Sequence, residues 1–207
     1  MPTLHLIGDS ISIAYGPHLA LALPSGWSYS RMGDEALARR DLDQAVGANG
    51  GDSARVLAHL ETRPDGPIWD LLLLNCGLHD LKRLPPDDRF QVAPDAYRRN
   101  LAGIIAQAQR LTRRLVWVST TAVDDALHAA RGCGFARRDD DVISYNTIAD
   151  AVMAAHQVPT IDLGGFTRSL GHGPDTFSDG VHFHDHIAQQ QAAHLVGALG
   201  PHLESLT

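Results

Sequence analysis

Residues 4 to 12 read Leu-His-Leu-Ile-Gly-Asp-Ser-Ile-Ser, an apolar run that ends at Gly8 and places Asp9 and Ser10 before an amphipathic stretch. An apolar run followed at once by a helical pattern is typical of the first strand and helix of an α/β sheet. Residues just after such a strand lie at the edge where ligands bind, and the helix N-terminus offers amide donors to an anion. Ser10 is therefore either a nucleophile at that edge or a helix N-cap.

The alternation of strand and helix continues along the chain. Strand-like runs occupy residues 3–8, 27–31, 68–75, 114–120 and 158–163, and helical patterns fall at about 11–23, 53–62, 94–112, 140–156 and 184–199. Nearly all-apolar strands that alternate with helices indicate a parallel sheet covered on both faces. We predict a three-layer α/β/α sandwich with about five parallel strands, formed by residues 1–207 as one domain.

Two polar stretches interrupt this pattern, at residues 32–49 and 122–139. Both follow predicted strands, so we expect both at the ligand-binding edge of the sheet. Each is either a solvated excursion or a wall or lid over a substrate. The charge run from Arg137 to Asp141 is typical of solvated surface.

Composition narrows the class of protein. Hydrophobic residues make up 44% and charged residues 20%, which are values of a globular chain. The net charge of -7 and the scattered Lys and Arg argue against a nucleic-acid partner. A strand-like run that begins at Thr3 leaves no room for a leader, and no long apolar run indicates a membrane segment, so we expect a cytoplasmic protein. Oligomeric state is not predicted.

The two cysteines, Cys76 and Cys133, are too few for a disulfide framework and lack metal-ligand spacing, so we expect reduced thiols. Cys76 is expected to be a small buried hydrophobic residue. Three histidines in His182-Phe183-His184-Asp185-His186 suggest a zinc site, but their spacing on a helix does not bring all three together. We expect no metal and no cofactor.

A candidate catalytic pair stands near the C-terminus, in Asp179-Gly180-Val181-His182. A serine nucleophile needs a base that takes its proton and a carboxylate that orients that base. Asp179 and His182 can meet across a tight turn, for which Gly180 provides conformational freedom. Because the chain has twelve histidines, an Asp-x-x-His spacing can arise by chance and is weak evidence for a catalytic pair by itself. Together with Ser10 it predicts a Ser-His-Asp triad.

Donors for a developing oxyanion are also present. The backbone amides of Ser10 and Gly51 are candidates, the second in Asn49-Gly50-Gly51-Asp52-Ser53, which could equally be a simple turn and N-cap. A further donor is the side chain of Asn75 or of His79, in Asn75-Cys76-Gly77-Leu78-His79-Asp80 after the third strand. Ser12 and Ser53 are interpreted as helix-start residues.

These blocks together resemble the SGNH or GDSL hydrolase superfamily over nearly the whole chain. Gly8-Asp9-Ser10 is similar to its nucleophile block, Gly51 to its oxyanion glycine, and Asp179-Gly180-Val181-His182 to its terminal Asp-x-x-His. Gly77-Leu78-His79-Asp80 is similar to its third block, except that His79 stands where the family usually has Asn. Either His79 donates as a neutral imidazole, or Asn75 takes that role, or the site is catalytically weak.

The resemblance implies a flavodoxin-like fold and a serine ester hydrolase for small acyl esters, such as acetyl groups on carbohydrates or short-chain lipid esters. The resemblance leaves thioesters open as substrates as well. A binding module for a carbohydrate or acyl ligand is the alternative from another class. An acyltransferase with the same triad is a third interpretation.

Overall fold

The fold is built on a parallel β-sheet. The computed structural model describes residues 1–64, 66 and 68–206. In chain order its strands are β1 (Thr3–Ile7), β2 (Ser28–Arg31), β3 (Trp69–Leu74), β4 (Arg83–Leu84), β5 (Arg89–Phe90), β6 (Thr112–Val118) and β7 (Thr160–Ile161). Five of them form a parallel sheet in the order β2-β1-β3-β6-β7, and β4 and β5 form a separate antiparallel pair. The predicted parallel sheet of about five strands is confirmed.

Helices cover both faces of this sheet. They are α1 (Ser10–Ala22), α2 (Glu35–Ala38), α3 (Ser53–Glu61), α4 (Pro94–Leu111), α5 (Asp125–Ala130), α6 (Asp139–Ala155), α7 (Leu163–Ser169) and α8 (Asp185–Glu204). Helix α8 packs against α1 and α7, whereas α4 packs against α3 and α6. The result is the α/β/α arrangement that the sequence predicts. No helix in the described part of the chain is both long and apolar enough to cross a membrane.

The strands are apolar because both of their faces are buried. Leu71 to Leu74 of β3 have no exposed surface, and the neighbouring ends of β1 and β6 are equally covered. Ile7 pairs with Leu74, and Leu74 pairs with Trp117, so the three central strands end side by side. After β1 the chain forms β2 on one side of β1 and then β3 on the opposite side. This reversal of strand order creates the crevice in which open α/β sheets bind ligands.

Aspartates begin several of the helices on this edge. Asp9, Asp52 and Asp124 accept hydrogen bonds from amides of the first turns of α1, α3 and α5, at 3.0, 2.9 and 3.0 Å. Such N-caps satisfy helix amides that lack an intrahelical acceptor. They fix where the chain turns from the sheet edge into each helix, and thus where Ser10 and the residues near Gly51 lie.

Candidate active site

Ser10 is the first residue of α1 and follows the end of β1 after Gly8 and Asp9. The N-cap is Asp9, whose carboxylate accepts from the Ile11 amide, so the Ser10 side chain is not used for capping. Its Oγ lies instead 2.9 Å from Nε2 of His182. Ser10 is only 2% exposed, so this hydroxyl is held away from bulk water.

A tight turn holds Asp179 against His182. One oxygen of the Asp179 carboxylate accepts from the amides of Val181 and His182, at 3.0 and 2.8 Å. The other oxygen lies 2.7 Å from Nδ1 of His182. Gly180 has a φ of 85°, a region that favours glycine, and a Cβ there would lie 2.3 Å from the backbone nitrogen of His128.

A continuous chain of hydrogen bonds thus joins Ser10, His182 and Asp179. Burial opposes ionisation of Asp179, but hydrogen bonds from the His182 imidazole and from the amides of His182 and Val181 outweigh it and hold the pKa of the carboxyl well below its ordinary value. An ionised Asp179 places the imidazole proton on Nδ1 and leaves Nε2 free to accept the Ser10 proton. The arrangement can therefore activate a serine hydroxyl.

The loop around Gly51 lies beside Ser10. The Gly50 amide donates to the carbonyl of Gly8 at 2.9 Å, which docks the loop against the end of β1. Gly51 has a φ of 70°, and a Cβ there would approach that of Ala45 to 2.5 Å. The Gly51 amide donates to Oδ1 of Asn49 at 3.1 Å, so an oxyanion at this amide would compete with the Asn49 side chain.

The two candidate side-chain donors have different surroundings. Nδ2 of Asn75 donates to the carbonyl of Val118 at 2.8 Å and contacts Oγ1 of Thr120 at 3.4 Å, so this amide is directed toward β6. His79 is 1% exposed, and its Nε2 has no hydrogen-bond partner within the described residues. Burial, together with the cationic Lys82 and Arg137, lowers the pKa of His79 well below its ordinary value. His79 is therefore a neutral imidazole with an unpaired nitrogen.

Asp80 joins the segment that carries His79 to the start of α3. Its carboxyl oxygens accept from the Ser53 amide at 2.9 and 3.1 Å and from the Ser53 hydroxyl, which also accepts from Asn100 at 2.9 Å. Burial raises the pKa of Asp80 to about 8. Ser53 begins α3, as the sequence predicts, and Ser12 lies in the first turn of α1. The Ser53–Asp80 network fixes the Gly51 loop relative to His79.

The interpretation of the Arg137 to Asp141 run as solvated surface is wrong at both ends. Arg137 is 2% exposed and donates from Nε to the carbonyl of Leu78 at 2.8 Å. Asp141 is also buried and pairs with Arg83 at 2.7 Å. Arg138 and Asp140, between them, are exposed. The run therefore alternates between the protein interior and the surface, which its composition alone does not reveal.

The neighbouring histidines have separate partners. His182 contacts Ser10 and Asp179, whereas Nε2 of His184 lies 2.9 Å from the carbonyl of Pro174. Among the described residues no group of three or more His, Cys, Asp or Glu side chains is placed to hold a metal ion.

The sequence does not identify two further contacts of the site. Arg131 lies 3.3 Å from the Asp179 carboxylate, and Asn146 exchanges two hydrogen bonds with the backbone of Thr120, at 2.9 and 2.8 Å. Thr120 in turn packs on Gly77, where a Cβ would approach its Oγ1 to 2.3 Å. The arginines of the polar stretch at 122–139 are the only sequence signal for the first contact.

The fold thus brings a serine that follows β1 together with a histidine and an aspartate from the turn before α8, an arrangement that can serve ester hydrolysis. The chain belongs to the GDSL-like lipase/acylhydrolase family, whose model matches residues 6–189. This confirms the resemblance in the sequence, and the protein is accordingly a carboxylic ester hydrolase. No curated protein matches the chain.

Solved structures of low sequence identity share the fold. A lipase/acylhydrolase from Enterococcus faecalis superposes with a TM-score of 0.67 at 19% identity, over 98% of this chain and 97% of that one. A carbohydrate acetylesterase family member from Sinorhizobium meliloti has a TM-score of 0.68 at 16% identity, over 99% and 100% of the two chains. The acetyl xylan esterase AlAXEase has a TM-score of 0.64 at 14% identity, over 95% and 99%. At these identities the likeness establishes the fold.

Proposed function

We propose that the protein hydrolyses small acyl esters, acetyl or short-chain, through a covalent acyl-enzyme on Ser10. The observation that carries the proposal is the hydrogen-bonded chain from Ser10 through His182 to Asp179, with distances of 2.9 and 2.7 Å. These distances suit proton transfer from a hydroxyl to an oriented base.

In the acylation step Oγ of Ser10 attacks the carbonyl carbon of the ester while Nε2 of His182 takes the hydroxyl proton. Asp179 stabilises the imidazolium that forms. The tetrahedral intermediate then collapses, and the leaving alcohol receives the proton from His182. A water molecule attacks the acyl-enzyme in the same way, with His182 again acting as the base, and releases the acid and free Ser10.

The negative oxygen of the tetrahedral intermediate requires donors. We assign this role to the amides of Ser10 and Gly51 and to the imidazole of His79. The Gly51 amide would exchange its hydrogen bond to the Asn49 side chain for one to the oxyanion. Of the two side chains that the sequence leaves open, His79 is favoured because its nitrogen lacks a partner, whereas Asn75 already donates to Val118. A neutral imidazole supplies one N–H, as an asparagine amide would.

Small and polar substrates fit the surroundings of the site. The polar stretches at 32–49 and 122–139 approach it with ion-paired side chains, including Asp43, Arg131 and Arg137, and not with an apolar lid. The structural neighbours described as carbohydrate acetylesterase and acetyl xylan esterase favour an acetyl group on a carbohydrate as the substrate.

The test compares p-nitrophenyl acetate, butyrate and octanoate as substrates of the wild type, Ser10→Ala and Ser144→Ala, an exposed serine that serves as the matched control. We expect the acetate to be the best substrate and Ser10→Ala to lose about 10³-fold or more in kcat. Wild-type activity in Ser10→Ala would contradict the proposal, and a preference for octanoate would contradict its substrate. Transfer of the acetyl group mainly to an added alcohol would identify an acyltransferase.

A further inference from the structure

A chain of ion pairs connects the two sides of the proposed active site. Nη1 of Arg131 lies 3.3 Å from Oδ2 of Asp179, and Nη2 of Arg131 pairs with Asp43. The other oxygen of Asp43 lies 3.1 Å from Arg137, which donates to the carbonyl of Leu78, the residue before His79. This ion-pair chain of Asp179, Arg131, Asp43 and Arg137 therefore runs from the proposed triad carboxylate to the segment after β3 that carries His79.

The ion-pair chain is partly shielded from solvent. The Arg137 side chain is 1% exposed, and those of Asp43 and Arg131 are 16% and 26% exposed. Nζ of Lys82 donates to the Asp43 carbonyl at 2.9 Å and lies 4.5 Å from the centre of the Phe135 ring. Charges in such surroundings are screened less by water and salt than charges on an open surface.

Packing of α5 brings Arg131 to this position. The amide of Asp124, at the start of α5, donates to the carbonyl of Gly180 at 2.8 Å. Gly180 also lies against the backbone of His128, where no Cβ could be accommodated. Arg131 is the C-cap of α5, so contact between α5 and the Asp179 turn fixes its distance from the carboxylate.

A cation next to the triad carboxylate has two consequences. It restrains the oxygen of Asp179 that orients His182, since that oxygen is shared by both contacts. It also opposes the formation of a second positive charge on the nearby imidazole. Asp43 moderates the second effect because it partly neutralises Arg131.

We propose that Arg131 is a positioning residue that sets the orientation of Asp179 and the strength of His182 as a base, with Asp43 as its counter-charge. The inference rests on the proposed function, since it assigns to Arg131 an action on the proposed triad. Arg131 itself does not contact the reacting atoms.

Other charged and titratable groups surround the pair of Asp179 and His182 and contribute to the same field. Asp9, His79, His128 and Arg131 interact with the charges of the pair, and Asp43, Lys82, Asp124, Arg137 and His172 lie next to these groups. The segment of the pair itself adds His184, Asp185 and His186. Of these, only Arg131 pairs directly with the Asp179 carboxylate among the described contacts. Its substitution is therefore the most specific probe.

The experiment measures kcat and KM for p-nitrophenyl acetate from about pH 5 to 9 in the wild type, Arg131→Gln, Arg131→Lys and Asp43→Asn. Arg138→Gln is the matched control, since it removes the same charge from the same segment but pairs with Asp88 at the surface. We expect the acid limb of kcat/KM to move up by about 0.5 to 1 pH unit in Arg131→Gln and to stay near the wild-type position in Arg131→Lys.

Asp43→Asn has the opposite expected effect, because the uncompensated Arg131 further disfavours the imidazolium. Its acid limb should move down, and both shifts should shrink in about 1 M salt. KM should stay within about 2-fold of the wild type in all variants. Arg138→Gln should superimpose on the wild type.

The inference would be overturned if the acid limb of the kcat/KM profile does not move in Arg131→Gln and Asp43→Asn, or if it moves in the same direction in both. A change in KM alone would also overturn it. Should Arg131→Gln not fold, Asp43→Asn decides alone, because a limb that does not move down contradicts the proposal. Full activity in Ser10→Ala would instead contradict the proposed function. If Ser10→Ala is inactive but the acid limbs of Arg131→Gln and Asp43→Asn do not move, only the role of Arg131 is contradicted.

Discussion

At the scale of single residues, His79 distinguishes this site from the usual family pattern. His79 lies in the segment after β3, and its Nε2 is buried with no hydrogen-bond partner among the described residues. Because the pKa of His79 is low, we expect it to remain neutral throughout the pH range in which an esterase is assayed. On the proposed assignment, His79 supplies the oxyanion donor that an asparagine would supply, without adding a positive charge.

We predict that His79→Ala lowers kcat by about 10²- to 10³-fold, since it removes an oxyanion donor, and that His79→Asn retains most of the activity. Asn75→Ala is the matched comparison, because its amide bonds to Val118. It should lower the free energy of unfolding by about 1–3 kcal/mol and change kcat much less than His79→Ala does. Steady-state kinetics and thermal unfolding measure both effects. A folded Asn75→Ala with the larger loss of kcat would reverse the assignment.

The sequence could nominate Ser10, Asp179 and His182 because their residue types and local spacing carry the chemistry. It could not choose between Asn75 and His79, since that choice depends on whether the Asn75 amide faces β6. It could not place Arg131 beside Asp179 either, because they are 48 positions apart in the sequence and the packing of α5 brings them together. The roles assigned to all these residues remain predictions.

At the scale of elements, the Ser53–Asp80 network holds α3 and the segment after β3 together. The pKa of Asp80 is raised by burial to about 8. The folded protein therefore binds a proton that the unfolded chain releases near pH 4, and this contribution to stability is lost as the pH rises from about 4 to about 8.

We predict that the wild type loses at least about 1 kcal/mol of unfolding free energy relative to Asp80→Asn over this range, because the asparagine cannot ionise. Denaturant unfolding at a series of pH values measures the difference. Asp87→Asn, at an exposed position, is the control and should run parallel to the wild type. Parallel curves for Asp80→Asn and the wild type would contradict the raised pKa.

The long elements could be predicted because apolar periodicity marks them, as in β3 and α4. Four shorter parts escaped prediction: α2, α5, α7 and the pair of β4 and β5. Helix α7 contains Gly164 and Gly165 and begins where the sequence predicts the end of a strand, so β7 spans only two residues. Helices this short depend on caps and tertiary contacts, which local sequence does not show. Helix α8 continues past Gly200 and Pro201 because Leu203 packs into the core.

At the scale of the whole molecule, the sheet carries a second buried histidine apart from the proposed triad. The site lies at the carboxyl ends of β1 and β3, whereas His5 lies in the middle of β1, between β2 and β3. The His5 ring stacks on Trp69 with centroids 4.0 Å apart, and its Nδ1 lies 2.8 Å from Oγ of Ser30. Burial lowers the pKa of His5 to about 3, with smaller effects of His59, Arg63 and Arg31.

Because the unfolded chain binds a proton at His5 near pH 6.5 and the folded protein does not, stability should fall as the pH drops from about 6.5 to about 3. We predict that His5→Gln weakens this loss by at least about 1 kcal/mol while activity at neutral pH stays within about 2-fold. Unfolding free energy against pH measures it, with exposed His156→Gln as the control. An unchanged acid slope in His5→Gln would show that His5 does not carry it.

The central claim is that His182 activates Ser10 as a nucleophile, and covalent labelling tests it most directly. The protein is treated with diethyl p-nitrophenyl phosphate, and the site and number of adducts are determined by intact-mass and peptide mass spectrometry. We predict one diethylphosphoryl group per chain, on Ser10, no adduct in Ser10→Ala, and labelling slowed by about 10³-fold in His182→Ala. An adduct on another residue, or labelling of Ser10 at the same rate without His182, would contradict the account.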